Sequence, residues 1–378
     1  MTGKDMLRGI QNLDADLIEE AEFGTFQNKH TGFSGRKKLL FLLAAALIMS
    51  TMTAAAVYTR WSATMQSGGL YGVQPSEQIK KQAQQSGLSV IPTETRNGKK
   101  EAISVSDNGI TVTLAQTLMD QYGGRLIFRI EGLELGEGQH PWTWFDFTID
   151  GKSPDQLHMG LGTDFFTGIT SDADGGLVYT KDGKPVQRVG ENKELLPDYP
   201  LSDGSIEFSV GFDWIGNAPL GKEMVFTFTG FGVQCGNLEH KMTVPGKWEL
   251  RWTLEGSTQE PLKWTPNARI GNEAVSLVEA EIGQYSMKLT YHVDEMSEDE
   301  HGLVGKDASI RLKDGTDLPV NGRGSGQWDP ERRLYTVILC ALDTVLDPSQ
   351  IAGMSFYSEP RLNAQGTWDV ELIYIPFP

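Results

Sequence analysis

The chain has 378 residues, with 33 Lys and Arg against 50 Asp and Glu side chains, and its formal net charge is −17. An acidic surface of this kind repels nucleic acid and anionic polymers, which argues against nucleic-acid binding. The two cysteines, Cys235 and Cys340, are too few for a disulfide scaffold. We expect both to be buried free thiols, with a single bridge or reactive chemistry as the alternatives.

The first 38 residues are predicted to contain an amphipathic helix. Acidic residues occupy one side of this segment, and Gly24 is a natural stop. A helix of about 18 residues is marginally stable alone in water. The segment is too short to form a domain that covers its apolar stripe, so we expect a protein groove to bind it. The stripe follows three- and four-residue steps and consists of Met6, Leu7, Ile10, Leu13, Leu17, Ile18 and Ala21.

Residues 39–58 form a run of 20 positions without a charged side chain. That is the length of a helix that crosses the hydrocarbon core of a bilayer. Arg36, Lys37 and Lys38 precede the run, so the positive-inside rule places the N-terminus in the cytoplasm and the C-terminal bulk outside the cell. We therefore predict one transmembrane helix over 39–58. Cleavage near residues 54–56, as in a signal peptide, is the alternative.

The outer part is predicted to be mainly β. Residues 59–101 are rich in Gln, Ser, Gly and Lys, which is typical of an exposed linker. From residue 102 onward, apolar and polar residues alternate between turn-forming residues, as in antiparallel sandwiches. We expect two β-sandwich domains, over 102–256 and 272–378, with a connector at 257–271. The clearest alternation is SIEFSVGF, which puts Ile206, Phe208, Val210 and Phe212 on one face.

The two predicted domains resemble each other in sequence. Without a gap, VTLAQTLMDQYGGRLIFRIE (112–131) lies over VSLVEAEIGQYSMKLTYHVD (275–294). Four further matches follow in the same order along the chain, and the last would make Trp248 and Trp368 equivalent core residues. Five ordered matches predict two copies of one unit. The first copy is longer because of a Gly- and Asp-rich insertion at 152–204, which we expect to form loops.

No catalytic or cofactor-binding constellation is evident in the sequence. The six histidines are scattered, and none has the spacing of a zinc protease helix. The acidic stretch SDADGG (171–176) lacks the ligand spacing of a calcium loop. The acidic run DEMSEDEH (294–301) could collect a divalent cation, but charge runs are usually solvated. We expect both to be solvated turns or strand ends, and we predict no metal site, no cofactor and no enzyme activity.

The inner segment LRGIQNLDADLIEEAEF and the outer segments VSDNGITVTLAQTLMD, GKWELRWTLEG and IRLKDGTDLPV resemble those of a known family. These are membrane-anchored, anti-sigma-factor-like proteins of Gram-positive bacteria, whose outer region is a domain of unknown function with a C-terminal Ig-like β-sandwich. The resemblance implies two tandem Ig-like domains outside and a tail that binds an extracytoplasmic-function sigma factor. The tail departs from zinc-containing anti-sigma domains, since it lacks their Cys and His residues. The matching tail residues are Leu13, Asp14, Leu17, Ile18 and Ala21.

The sequence therefore predicts a single-pass regulatory protein of the cell membrane. Its cytoplasmic helix would bind a sigma factor, while the outer domains sense or bind an unidentified ligand. The predicted partner-binding residues of the helix are Leu7, Ile10, Leu13, Asp14, Leu17, Ile18 and Ala21. The alternative is a surface-anchored binding or adhesion protein whose tail has no regulatory role. The ligand, the oligomeric state and any cleavage of the linker remain open at this point.

Overall fold

The computed structural model describes residues 62–66, 77–96, 98–136, 138–170, 178, 180, 186–187, 199–216, 218–235, 239–270, 275–294, 308–320, 324–339, 346–357, 361–362, 368–369 and 372–377. All of them belong to one compact unit, Ala54–Pro378. The predicted tail and membrane span lie outside these residues. Within the described part of the chain, no helix has both the length and the apolar character needed to cross a membrane.

The mainly β class is confirmed, and the paired strands of the described residues are antiparallel. Among the described residues of the N-terminal half, two short α-helices are followed by eleven strands. The helices are α1 (Ala63–Gln66) and α2 (Glu77–Gln85). The strands are β1 (Ser89–Val90), β2 (Thr93–Arg96), β3 (Lys99–Ala102), β4 (Ser104–Asp107), β5 (Ile110–Met119), β6 (Gly123–Glu131), β7 (His140–Ile149), β8 (Met159–Phe165), β9 (Ile206–Trp214), β10 (Glu223–Cys235) and β11 (Glu239–Thr253).

Two sheets share one core in this half. The larger sheet has the order β1-β5-β6-β9-β8 with β4 beside β5, and the smaller has the order β11-β10-β7. Their facing side chains form a single cluster in which Phe128, Phe226 and Trp248 are fully buried. Trp248 also donates from Nε1 to the carbonyl oxygen of Ile110 at 3.0 Å, which ties the two sheets together. The four residues of β9 predicted to face the core are all buried, but Glu207 and Ser209 between them are buried as well, so the strand is covered on both faces rather than half-buried.

The C-terminal half repeats this arrangement, and its described residues contain twelve short strands. They are β12 (Leu262–Trp264), β13 (Ala268–Arg269), β14 (Val275–Ile282), β15 (Met287–Val293), β16 (Ala308–Leu312), β17 (Asp317–Val320), β18 (Gly326–Asp329), β19 (Leu334–Leu339), β20 (Ile351–Tyr357), β21 (Arg361–Leu362), β22 (Trp368–Asp369) and β23 (Leu372–Pro376). One sheet has the order β12-β14-β15-β19-β18 with β13 beside β14, and the other has the order β17-β16-β20-β23. A second core cluster lies between them, with Leu289, Tyr291 and Phe356 buried in it.

The structure supports the internal repeat down to the pairing of individual residues. In the first copy, Leu114 pairs with Phe128, and the register then shifts before Gln116. In the second copy, Leu277 pairs with Tyr291, and the same shift falls before Glu279. A bulge at the same position of both copies is a specific feature of the backbone, because each bulge fixes which side chains face the core.

The last of the five sequence matches has a different register from the expected one. Leu250 lies opposite Phe226 in the first copy, and Ile373 lies opposite Phe356 in the second. Ile373 of the second copy is therefore the structural equivalent of Leu250. Aligning Trp248 with Trp368 predicts Val370 at that position instead. A sequence alignment does not detect such a shift, because apolar residues recur at every second position of an alternating strand and therefore match at several offsets.

Two segments that were expected to form loops or a connector contribute strands to the domains. The Gly- and Asp-rich insertion supplies β8, which pairs along its whole length with β9. Residues expected as the connector supply β12 and β13, and both pair with β14. Cys235 ends β10 as a half-buried free thiol. Cys340 lies outside the described residues.

Candidate functional site

The predicted partner-binding residues, between Leu7 and Ala21, lie outside the described residues, so any site that the structure shows belongs to the chain from Ser62 onward. The two acidic stretches also lie almost wholly outside them. Within the part of the chain that the structure describes, no group of three or more His, Cys, Asp or Glu is arranged to hold a metal ion. Two other features stand out there, and both involve the first domain.

The first feature is the point at which the chain enters the first domain. Ser62, Ala63 and Thr64 were expected in an exposed linker, yet they are 6%, 3% and 8% exposed. The Glu207 carboxylate accepts hydrogen bonds from Ala63 N at 2.8 Å and from Thr64 N and Oγ1, each at 2.9 Å. The Gln116 amide oxygen accepts from Ser62 N at 3.0 Å and Ser62 Oγ at 2.9 Å. We call this set of contacts the entry clamp.

The entry clamp contains a buried charge. Desolvation of Glu207 raises the pKa of its carboxyl group, although the hydrogen bonds from Thr64 and Ala63 and the charge of Arg129 act in the opposite direction. Arg129 lies on the neighbouring strand and pairs with Asp203 at 2.6 Å and with Glu131 at 2.9 Å. A buried carboxylate persists only where donors surround it, and here residues 63 and 64 supply them.

Apolar contacts reinforce the clamp and extend it along the outer face of the larger sheet. Ala63 belongs to a buried cluster with Phe166, Ile169 and Leu201. Farther along, α2 and Leu88, three residues after its end, cover the same sheet, with Ala83 and Leu88 buried against Leu118, Ile127 and Tyr285. Both faces of β5 are therefore covered, which explains why nine of its ten residues are buried. The prediction of an exposed linker over 59–101 is therefore wrong for residues 62–64, Ala83 and Leu88, which are buried.

The second feature is a cavity of about 230 Å³ on the open side of the first domain. It lies between β7 and β8, which are the outermost strands of the two sheets. Its walls are mainly aromatic, and its rim is polar. The lining residues used below are His140, Trp142, Phe145, Asp164, Phe165, Tyr199 and Phe208.

The aromatic rings of the cavity form a continuous series. Phe208 is buried at the bottom, with its ring centroid 5.6 Å from that of Phe145 and 4.8 Å from that of Phe165. Phe165 meets Tyr199 edge to face at 6.4 Å, and the Tyr199 hydroxyl lies 2.5 Å from His140 Nδ1. Burial and the nearby Asp164 carboxylate raise the pKa of Tyr199, so its hydroxyl stays neutral. The series has fixed ring orientations and an acidic residue at its rim.

The cavity and the entry clamp share two short backbone segments. Phe165 and Phe208 pair directly in the sheet and line the cavity. Their neighbours, Phe166 and Glu207, contact residues 63 and 64, and Phe166 N donates to the Glu207 carbonyl at 3.0 Å. Successive side chains of a strand point to opposite faces. The cavity and the clamp therefore use adjacent residues on opposite faces of the same backbone segments.

The two domains meet through the equivalent hairpin turns of the two copies. Asp120, in the β5–β6 turn, accepts hydrogen bonds from Tyr285 N and Ser286 N, each at 2.9 Å, and from Ser286 Oγ. Desolvation raises the pKa of this buried carboxyl group, and these hydrogen bonds oppose the rise. Gly283 leaves room for it, since a Cβ there would lie 2.4 Å from Asp120 Oδ2.

A second polar contact supports the same joint. Tyr122 hydrogen-bonds to Glu281, and the Lys288 ammonium lies 5.1 Å from the Tyr122 ring centroid. Burial alone would raise the pKa of Glu281, but Lys288, Tyr122 and Lys263 lower it. Glu281 pairs with Lys263 at 3.0 Å and with Lys288. The joint is thus polar, buried and made from residues that the repeat places at matching positions.

Sequence reasoning missed the clamp and the cavity for different reasons. Alternation assigns Glu207 to the solvent face of its strand, and nothing nearby in sequence indicates that residues 62–64 cover it. The cavity has a weak sequence signal, which consists of the two aromatic-rich stretches HPWTWFDF (140–147) and DFF (164–166). Aromatic residues in strands are most often core residues, so composition alone does not distinguish a cavity wall from a core.

The comparisons with known proteins leave the family open. No protein-family model and no curated protein matches the chain. A conserved domain protein from Bacillus anthracis is similar over 77% of this chain and 93% of its own, with 10% identity and a TM-score of 0.40. The C-terminal domain of the AgI/II polypeptide BspA from Streptococcus agalactiae is similar over 75% and 97%, with 11% identity and a TM-score of 0.12. Both scores are too low to carry an inference about this chain.

Proposed function

We propose that the chain is a single-pass, anti-sigma-factor-like regulatory protein of the cell membrane. Its N-terminus lies in the cytoplasm, and the helix bearing Leu7, Ile10, Leu13, Asp14, Leu17, Ile18 and Ala21 binds a sigma factor. Residues 39–58 cross the bilayer. Two tandem Ig-like β-sandwich domains lie outside and sense or bind a ligand.

The entry clamp is the observation that best supports this proposal. Ser62 follows the predicted end of the span, Tyr58, by four positions. Four residues reach at most about 14 Å when fully extended. A sensor needs a link that transmits a change of conformation, and a link held by Glu207 and Gln116 does so far better than a long flexible stalk.

A cell-surface-anchored binding or adhesion protein is the second candidate. The aromatic cavity favours it as much as it favours a sensor, because both would bind a ligand outside the cell. The two candidates differ in the role of the tail. Only the regulatory protein requires the apolar stripe to contact a cytoplasmic partner.

Replacing Leu17 and Ile18 together with Asp in the full chain separates the two candidates. Burial of each side chain against a partner contributes about 1.5–3 kcal/mol before ordering costs, so the double change should release the sigma factor. The readout is constitutive transcription of one set of sigma-factor target genes. Glu20→Gln, on the acidic side of the helix, is the matched control and should leave transcription at the wild-type level. Unchanged transcription in the double variant, at normal membrane levels, would support the adhesion protein instead.

A further inference from the structure

The cavity of the first domain has a combination of properties that selects for one class of ligand. Its volume of about 230 Å³ is roughly seven times the ~30 Å³ that one water molecule occupies in the liquid. That space fits a small organic molecule rather than a polymer. The rings of Phe145, Phe165, Phe208 and Tyr199 are held against one another by mutual contacts, so the walls are already formed.

Aromatic walls of this kind attract cations. The face of an aromatic ring carries negative electrostatic potential, and ammonium groups bind within about 6 Å of the ring centre. Trp142 extends the wall outward and is itself fixed by stacking on His240, with centroids 3.5 Å apart. A neutral apolar molecule would gain only burial from these rings, whereas an ammonium ion gains burial and cation–π attraction.

The charges near the cavity also favour a cation. Asp164 lies exposed at the rim, and none of the described residues that line the cavity is Lys or Arg. Gln234 and Thr163, which are at least partly exposed, add polar groups to its lining. The whole chain carries a formal charge of −17, so its long-range field draws cations toward the surface.

We propose that this cavity is a binding site for a small organic ammonium ion, with Phe145, Phe165 and Tyr199 surrounding the cationic group and Asp164 compensating its charge. The binding itself stands on the cavity alone. Its consequence for regulation rests on the proposed function, because Phe165 and Phe208 adjoin the residues of the entry clamp. The ion would come either as a free solute or as a lipid headgroup, and the chemistry of recognition is the same.

The test compares choline with 3,3-dimethyl-1-butanol, a neutral molecule of nearly the same shape. The full chain is placed in nanodiscs of phosphatidylglycerol, which has no ammonium group, and binding is followed by isothermal titration and ligand-observed NMR. We expect saturable binding of choline that weakens with added NaCl, and binding of the neutral analogue at least about 5-fold weaker, as cation–π attraction predicts. Equal binding of the two molecules, or no choline binding up to tens of millimolar, would overturn the proposal.

Two variants locate the site. Asp164→Asn changes an exposed rim residue and should weaken choline binding several-fold while leaving the neutral analogue unaffected. Phe165→Leu should weaken choline by about 2- to 30-fold, the range of one cation–π contact. Trp328→Leu is the matched control, because Trp328 pairs with Tyr335 in the second copy as Phe165 pairs with Phe208 in the first. If Trp328→Leu weakens choline as much as Phe165→Leu does, or if Asp164→Asn has no effect, the cavity is not the site.

Two further measurements separate the source of the ion and its regulatory role. Nanodiscs of phosphatidylcholine should compete with free choline if the headgroup reaches the cavity, and should leave its affinity unchanged if the ion is a free solute; both outcomes fit the proposed site. Adding choline to cells with a sigma-factor reporter tests the regulatory consequence. Confirmed binding without a change in the reporter would count against the proposed function and leave the binding site intact.

Discussion

The two copies of the repeat share a topology and a bulge but differ on one face of their larger sheets. In the first copy, Gln116 and Glu207 accept hydrogen bonds from residues 62–64, and the charge of Arg129 acts on Glu207. The strand registers place Glu279, His292 and Leu334 at the equivalent positions of the second copy. All three are half-buried and lie outside the second core cluster.

This difference separates what the fold requires from what the first copy adds. Both copies bury an aromatic core between two sheets, so the core is a property of the unit itself. The buried amide and carboxylate occur where the chain enters from the predicted membrane side. Burying such groups is costly unless donors satisfy them, so their presence marks a specialised contact rather than a structural need of the unit.

A substitution in the core, which both copies have, should reduce the free energy of unfolding more than any other change. Trp248→Ala removes a fully buried ring and its hydrogen bond to Ile110, and we expect the free energy of unfolding to fall by about 3–5 kcal/mol. Urea unfolding followed by circular dichroism measures the change. A loss below about 1 kcal/mol would mean that Trp248 does not hold the two sheets together.

The entry clamp should respond more strongly than the matching position of the second copy. Gln116→Ala removes the acceptor of two Ser62 hydrogen bonds and the donor to Ser89 Oγ, and should cost about 1–3 kcal/mol, with faster hydrogen exchange at residues 62–66. Glu279→Ala, at the equivalent half-buried position, should change stability by less than about 0.5 kcal/mol. Equal effects in the two copies would remove the distinction drawn between them.

The contact between the two copies contains a second pair of equivalent positions that carry different residues. Asp120 in one turn corresponds to Gly283 in the other, and the carboxylate occupies the space that a side chain at 283 would need. Gly283→Ala should therefore cost about 1–3 kcal/mol by overpacking. Gly216→Ala, where a Cβ meets no atom within 4 Å, is the control. A stable Gly283→Ala protein would show that the joint adapts without strain.

The buried carboxyl group of Glu207 should make the stability of the folded protein depend on pH. We expect this effect to be smaller than those of the substitutions above, and its sign follows from the direction of the pKa shift. Desolvation raises the pKa of Glu207 above its ordinary value of 4.5, so the folded protein binds this proton more tightly than the unfolded chain does. The stability linked to Glu207 is therefore complete below pH 4.5 and is lost as the pH rises through the raised pKa. The stability of the wild type relative to Glu207→Gln should increase as the pH falls toward 4.5. A constant difference from pH 8 to pH 4.5 would contradict this assignment.

The sequence predicts the parts of the fold that depend on local pattern. Period-two alternation located β9 and β11, and an ungapped match located the paired strands of both copies. The clamp depends on contacts between residues that are distant in sequence. Ser62 and Gln116 are 54 positions apart, and Ala63 and Glu207 are 144 apart. Local pattern assigns a polar residue on a strand to solvent, and only the tertiary structure shows which segment covers it. The register of the last strand was likewise ambiguous, because alternating apolar residues match at several offsets.

Transcription in cells with a loosened clamp tests the central claim most directly. The claim is that the first domain holds the chain next to the membrane so that its state reaches the inner helix. The full chain carrying Gln116→Ala and Glu207→Ala should change the expression of the same target genes that the Leu17→Asp, Ile18→Asp double variant releases. The Glu279→Ala variant should leave that expression unchanged. Normal transcription with the loosened clamp, in a protein that is folded and present in the membrane at wild-type levels, would contradict the account.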